Sequence, residues 1–289
     1  MFLIRLSICI DFIIAPVTPG LGYSNLHKKS ITTGGLSGQY YFGQKGQSYC
    51  SQRGHSCLAK RVKVAWLFQK LLKGFAPRTG LCILSPVLKD TMQIEGGGYW
   101  PLLTLGGACA TAAAEIRLKA SGMNPDTLRV NKTMFFYKAI EAVSDEDTLA
   151  TDAMARIAGG IGCFGELYAS VGIHGFKLAS ARNTPLNQAT PLDMASLLGR
   201  LMRYKDHLFR EHPDIYETQD YLELTLKDKR WITYYTLACA EAGGRRVLNV
   251  FTLVGDHLLV IFMEGADVFE ETLMKKAGEL MLVAKDNLP

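Results

Sequence analysis

The run Leu258-Leu259-Val260-Ile261-Phe262 is apolar at every position, so a strand built from it presents greasy side chains to both faces of its sheet. Such a sheet has to be covered on both sides. The neighbouring segments supply the rest of a meander. Trp231 to Ala240, Arg246 to Val254 and His257 to Met263 are rich in β-branched and aromatic residues, and Tyr221 to Leu226 reads as a further strand. Ala242-Gly243-Gly244 and Gly255-Asp256 fall between them, where a tight hairpin needs residues that tolerate positive φ.

Helices that could cover this sheet are legible on either side of it. A closing helix starts near Asp267, with Glu270 and Glu271 at its positive end, and carries the stripe Phe269, Leu273, Ala277, Leu280, Met281 and Ala284. Thr190-Pro191 opens another, with Met194, Leu197, Leu198, Leu201, Leu208 and Phe209 as its apolar face and Pro213 beyond its end. Ser144 begins Ser-Asp-Glu-Asp, a capping-box-like start followed by Leu149, Ala153 and Ile157 at helical spacing until Gly159-Gly160. Thr133 to Val143 fits helix or strand equally. The expected fold class is α+β, an antiparallel β meander covered by helices in an αβα sandwich, behind a largely unstructured N-terminal region.

That N-terminal expectation rests on charge. Residues 1 to 89 carry twelve Lys or Arg and one acid, Asp11, while the remaining 200 carry twenty basic and twenty-six acidic residues, so the net +5 divides into +11 and −6. The asymmetry reads as an address followed by its cargo, and it weakens any nucleic-acid reading of the total charge. Met1 to Gly22 is either a signal-like apolar segment or an ordinary apolar terminus. Tyr23 to Lys89 lacks acids altogether and includes the basic amphipathic stretch Lys60 to Lys73; it suits an organelle transit segment, a basic tail or an amphipathic surface helix. The nineteen uncharged residues from Gly96 to Ala114 suit either a second translocation signal or a buried helix. The chain therefore divides into 1–95 as targeting region, 96–116 as second signal or linker, and 117–289 as the folded domain, with its mature start near Glu115. No segment reads as a confident membrane span, and seven cysteines build no disulfide framework.

Chemistry-bearing patterns are sparse. Gly160-Ile161-Gly162-Cys163-Phe164-Gly165 spells Gly-x-Gly-x-x-Gly, yet it follows a helical stretch where a dinucleotide site requires a strand. His207 and His212, with Asp206, Glu211 and Asp214 nearby, are five apart, a spacing that puts the two rings on different helix faces. Cys50, His55 and Cys57 lack the fourth ligand of a zinc site. His174 and His257 stand alone, and no Ser or Cys sits in a recognisable nucleophile elbow. Asn131-Lys132-Thr133 is a glycosylation sequon. The expectation is no catalytic residue, no metal and no cofactor, with cofactor-binding residues unassigned.

The order of strand Gly175 to Ala181, proline, helix from Thr190, and the meander Trp231-Ile232-Thr233-Tyr234-Tyr235, Arg245 to Val250 and Gly255 to Val260 before a terminal helix resembles the PsbP-like domains over roughly residues 170 to 285. Their αβα sandwich is also similar to that of the Mog1 and DcrB families. The resemblance implies a non-enzymatic plastid protein in the thylakoid lumen, bound through one surface to a membrane protein complex, photosystem II, without nucleic acid. It transfers no functional residue. Two other readings stand beside it: a small-ligand-binding or enzymatic α+β domain using the loop Gly159 to Gly165, and a bacterial periplasmic protein of the same fold.

Overall fold

The computed structural model describes residues 26–33, 36–43, 63–85, 90–94, 98–208 and 232–288. In chain order it holds a hairpin of β1 (Leu26–Thr33) and β2 (Leu36–Gly43), helix α1 (residues 63–72), and strands β3 (Arg78–Ser85), β4 (Asp90–Ile94) and β5 (Trp100–Pro101). Helices α2 (Gly106–Ala120), α3 (Phe136–Ser144), α4 (Thr148–Ile157) and α5 (Phe164–Ala169) follow, then strands β6 (Phe176–Lys177) and β7 (Gln188–Ala189) and helices α6 (Pro191–Leu201) and α7 (Lys205–Leu208). Strands β8 (Ile232–Ala242), β9 (Arg245–Val254) and β10 (His257–Gly265) and helix α8 (Glu270–Asn287) complete it.

A five-stranded antiparallel sheet in the order β4-β3-β10-β9-β8 lies between two helical layers. Strand β10 is buried along its whole length, as its unbroken apolar run requires. Leu259, Ile261 and Met263 join Val64 and Phe68 of α1 and Leu273, Leu280 and Met281 of α8 on one face. Leu258, Val260 and Phe262 join α2 to α6 on the other. Each of these large side chains contributes about 1.5–3 kcal/mol by leaving water, so the two faces hold the layers together. Gly243 and Gly244, both at positive φ (58° and 72°), form the two-residue turn between β8 and β9, the backbone twist a tight hairpin needs.

The N-terminal boundary is drawn differently by the structure. Strand β3 pairs with β10 from Arg78↔Glu264 to Leu84↔Leu258, and Leu81 and Cys82 are wholly buried. The acid-poor front thus contributes one helix and one strand, and Asp90–Ile94 a further strand, to the body that residues 232–288 complete, so the fold does not begin at residue 96. Average composition hid the alternation inside Thr79-Gly80-Leu81-Cys82-Ile83-Leu84, whose odd and even positions serve opposite faces of the sheet. The uncharged stretch 96–116 is the buried-helix alternative: α2 runs through the helical layer, and Glu115 is fully buried with Oε1 at 2.8 Å from Arg203 and 2.9 Å from Lys119. Cleavage near Glu115 would remove most of that helix. The expectations for Met1 to Gly22, for Cys50, His55 and Cys57, and for the strand Tyr221 to Leu226 lie outside the described residues. Among the described residues, no helix is long and apolar enough to cross a membrane.

Smaller corrections concern helix ends. Ser144 closes α3, its hydroxyl 3.0 Å from the carbonyls of His207 and Leu208; the cap of α4 is Asp147, whose carboxylate accepts from the amides of Leu149 and Ala150. Thr133 to Val143 resolves into helix from Phe136. Strand pairing in Gly175 to Ala181 is limited to Phe176–Lys177. Thr190 caps α6 with Pro191 in the first turn, as expected, and Met194, Leu197, Leu198 and Leu201 are fully buried. Helix α8 starts at Glu270, leaving Phe269 outside the buried stripe with 77% of its surface exposed.

The two core thiols make a check on this packing. Cys82 and Cys109 are buried, and burial pushes both thiols up, Cys109 to about 12 despite the hydrogen-bonding contribution of Tyr168. Iodoacetamide at pH 8 is expected to label half-buried Cys163 in the native protein and to spare Cys82 and Cys109 until the chain is unfolded. Mass-mapped labelling of either core thiol under native conditions would contradict the two-faced sheet.

Candidate functional site

Three separated segments meet where the three-stranded sheet β5-β7-β6 gives way to α2. The first is the corner Leu102-Leu103-Thr104-Leu105 between β5 and α2, in which Leu105 adopts a left-handed conformation at φ 63°. The second is the α3–α4 corner, where Glu146 is left-handed at φ 61°. The third is the loop leading into β7. Non-glycine residues in that region are strained, and such strain persists only where the surroundings hold it.

Three asparagines do the holding. Asn249 points from the middle of β9 to the first corner: its Oδ1 accepts from the Leu103 amide at 2.7 Å and its Nδ2 donates to the Pro101 carbonyl at 3.1 Å. Asn187, fully buried, accepts from the amides of Ala179 and Ser180 and donates to the carbonyls of Ser180 and Arg182, which makes its side chain the hub of the third loop. Its own carbonyl takes the Leu102 amide at 2.7 Å, fastening that loop to the first corner. Asn183 then bridges all three segments. Its Oδ1 accepts from Gly106, the first residue of α2, and its Nδ2 donates to Glu146 Oε1, both at 2.9 Å. Arg182 adds an ion pair with Asp152 of α4 at 2.8 Å.

The chemistry at this corner is narrow. Thr104 is half-buried and provides its hydroxyl; among the described residues neither that hydroxyl nor its amide has a hydrogen-bond partner. The first turn of α2 reads Gly106-Gly107-Ala108-Cys109 and offers no ammonium and no imidazole. Room for a side chain at either glycine is missing as well. A Cβ on Gly106 would lie 2.5 Å from the Arg182 carbonyl oxygen, and one on Gly107 would collide with Cγ1 of Val143. Deeper in, Tyr168 donates to the Cys109 carbonyl at 2.6 Å, and burial holds its phenol protonated far above the usual range. What the corner does offer is open amide and hydroxyl donors beside the positive end of a fifteen-residue helix, a setting that favours a carbonyl or carboxylate oxygen.

The structure scatters the residues that sequence spacing had put forward. The loop Gly159 to Gly165 joins α4 to α5 through a 3₁₀ turn, helix to helix, and so lacks the strand-to-helix setting of a dinucleotide site. His207 has Nδ1 at 2.8 Å from Glu141 Oε1, while His212, Glu211 and Asp214 lie outside the described residues. The His174 amide donates to Asp193, and His257 is buried at the start of β10. Among the described residues, no group of three or more potential metal ligands comes together. The three asparagines were missed. One of them left a signal, since Asn249 interrupts Val247-Leu248-Asn249-Val250-Phe251, where a polar side chain inside a two-sided sheet must find partners.

No family model and no curated protein sequence matches the chain. Solved structures do. A class A β-lactamase from Bacteroides cellulosilyticus DSM 14838 superposes with a TM-score of 0.59 at 15% identity, covering 79% of this chain and 98% of its own. The TLA-1 extended-spectrum β-lactamase gives 0.60 at 13% identity, with 79% and 99% covered. A β-lactamase from Xanthomonas campestris pv. campestris gives 0.53 at 16%, with 80% and 99% covered. The chain has the fold of the class A β-lactamases. This corrects the PsbP-like resemblance, and with it the expectation of a non-enzymatic photosystem II-associated protein and of a chloroplast or thylakoid setting. A meander between helices is common to both folds; the strands contributed by residues 78–94 and the helical layer of residues 106–208 set this one apart.

The likeness is one of backbone, and the sequence motifs of the class A enzymes can be compared with it directly. Class A β-lactamases act through Ser-x-x-Lys, Ser-Asp-Asn and Lys-Thr-Gly. Neither Ser-x-x-Lys nor Lys-Thr-Gly occurs anywhere in the 289 residues, and Ser144-Asp145-Glu146 departs from Ser-Asp-Asn at its last position.

Proposed function

We propose that this protein is a small-ligand-binding domain that uses the cleft of a β-lactamase fold without that family's acyl-transfer chemistry. The observation carrying this reading is the corner itself, a half-buried Thr104 with open donors beside two glycines that leave no space for a catalytic lysine. A serine nucleophile needs a neighbouring base to lose its proton, and threonine needs one equally. A reversible ligand needs only shape and a few placed donors. By analogy with what the neighbours are named for, the ligand class is β-lactams and related acylated amides, whose carbonyl or carboxylate oxygen would meet Thr104. The site differs from the Gly159 to Gly165 loop considered above.

Thermal unfolding with benzylpenicillin tests the reading. Ligand at about a hundred times its dissociation constant adds about 2.7 kcal/mol of apparent stability, which for a domain this size is roughly a 5–10 °C rise. Thr104→Trp fills the corner and is expected to abolish the rise while leaving the unliganded melting temperature within a few degrees. No rise with β-lactams or acyl-dipeptides, or a rise that survives Thr104→Trp, would contradict the proposal.

A further inference from the structure

The outward face of α1 takes no part in the corner around Thr104, and its composition is unusual. Lys63, Trp66 and Lys70 recur at spacings of three and four, so they share one narrow stripe, Lys73 follows in the turn that ends the helix, and all four are exposed. Trp66 keeps 56% of its surface in water, and the Lys70 ammonium lies 5.3 Å from its ring. The opposite face is spent on packing: Val64 and Phe68 are fully buried, and Leu71 and Leu72 rest on the same core beneath the sheet and α8. Core packing therefore explains the inner stripe and, among the described residues, leaves the outer one without a packing role.

Charge selects the partner. Acids are absent from Tyr23 through Lys89, and Lys60 and Arg61 precede the helix directly. A cationic stripe centred on an exposed indole matches the boundary of an anionic bilayer, where tryptophan sits among headgroups and lysines meet lipid phosphates through flexible stems. We propose that this face of α1 docks the folded domain on an anionic lipid surface, peripherally and with the helix axis in the plane of the membrane. Nucleic acid is less well matched, since a single tryptophan between lysines offers one stacking platform and no groove.

The test uses the full chain and vesicles of phosphatidylcholine, with or without 30 mol% phosphatidylglycerol. Flotation with the anionic vesicles is expected, weakening as salt is raised, together with a blue shift of tryptophan emission that Trp66→Phe removes. Replacing Lys63, Lys70 and Lys73 with glutamine is expected to weaken binding roughly 100-fold, since each cation at such a surface contributes independently. Because the replaced residues are exposed, circular dichroism and melting temperature should match those of the unmodified chain. Equal binding to neutral vesicles, full binding by the triple variant, or retention of DNA without vesicle flotation would each overturn the proposal. Full binding by the triple variant would place the attraction in residues 1–62.

Discussion

Asn187→Ala is expected to lower the unfolding free energy by about 3–5 kcal/mol, among the larger effects available to a single polar residue. The side chain is fully buried and makes four hydrogen bonds to the loop that precedes β7. Truncation leaves two amides and two carbonyls without that partner. Asn187→Asp separates the roles: the carboxylate still accepts from Ala179 and Ser180 but faces the carbonyls of Ser180 and Arg182 with no proton to give. It should be nearly as destabilising as alanine. Urea unfolding measures both, and hydrogen exchange at the Ala179 and Ser180 amides reports whether the loss begins in that loop. A change below about 1 kcal/mol in both variants, the net contribution of one ordinary hydrogen bond, would show that the loop is held some other way.

Gly107→Lys has the second large expected effect. Together with Thr104→Ser it rebuilds Ser-x-x-Lys at this corner, the pair that class A enzymes require. On helix propensity alone, replacing glycine with lysine would stabilise α2 by roughly 0.5–1 kcal/mol. Packing reverses the sign, because the new Cβ meets Val143 and comes near Thr151, and the ammonium would be forced into a buried helix contact. The double variant is expected to lose about 3 kcal/mol or more and to show no β-lactam hydrolysis. Adding Val143→Ala should recover part of that stability, since the clash is with the valine Cγ1. A stable, hydrolytic Thr104→Ser/Gly107→Lys variant would mean that the first turn of α2 has more room than its contacts allow.

Local signals carried the parts of the fold that are local. The turns at Gly243-Gly244 and Gly255-Asp256, the cap at Thr190-Pro191 and the two-sided burial of β10 each depend on residues a few positions apart. Strand β3 was illegible because its partner is β10, more than 170 residues away in sequence, and because it lies in a segment whose charge balance points elsewhere. Helix α2 is apolar and small almost all round, a pattern that a signal segment and a fully buried helix share, so periodicity could not separate them. The corner was hidden for a different reason. Thr104, Glu146, Asn183 and Asn187 come from three segments, and asparagines acting through backbone contacts leave no spacing rule. The likeness to the class A fold left no mark in the sequence, since Ser-x-x-Lys and Lys-Thr-Gly, by which class A enzymes are read, do not occur in it.

The central proposal is that the corner around Thr104 binds its ligand reversibly, without a covalent intermediate. Intact-protein mass spectrometry after prolonged incubation with excess benzylpenicillin addresses it most directly. The account predicts a single species at the unmodified mass and recovery of the β-lactam with its ring closed. A protein carrying the mass of one added penicillin, mapped to Thr104 or to any other hydroxyl in the cleft, would contradict it.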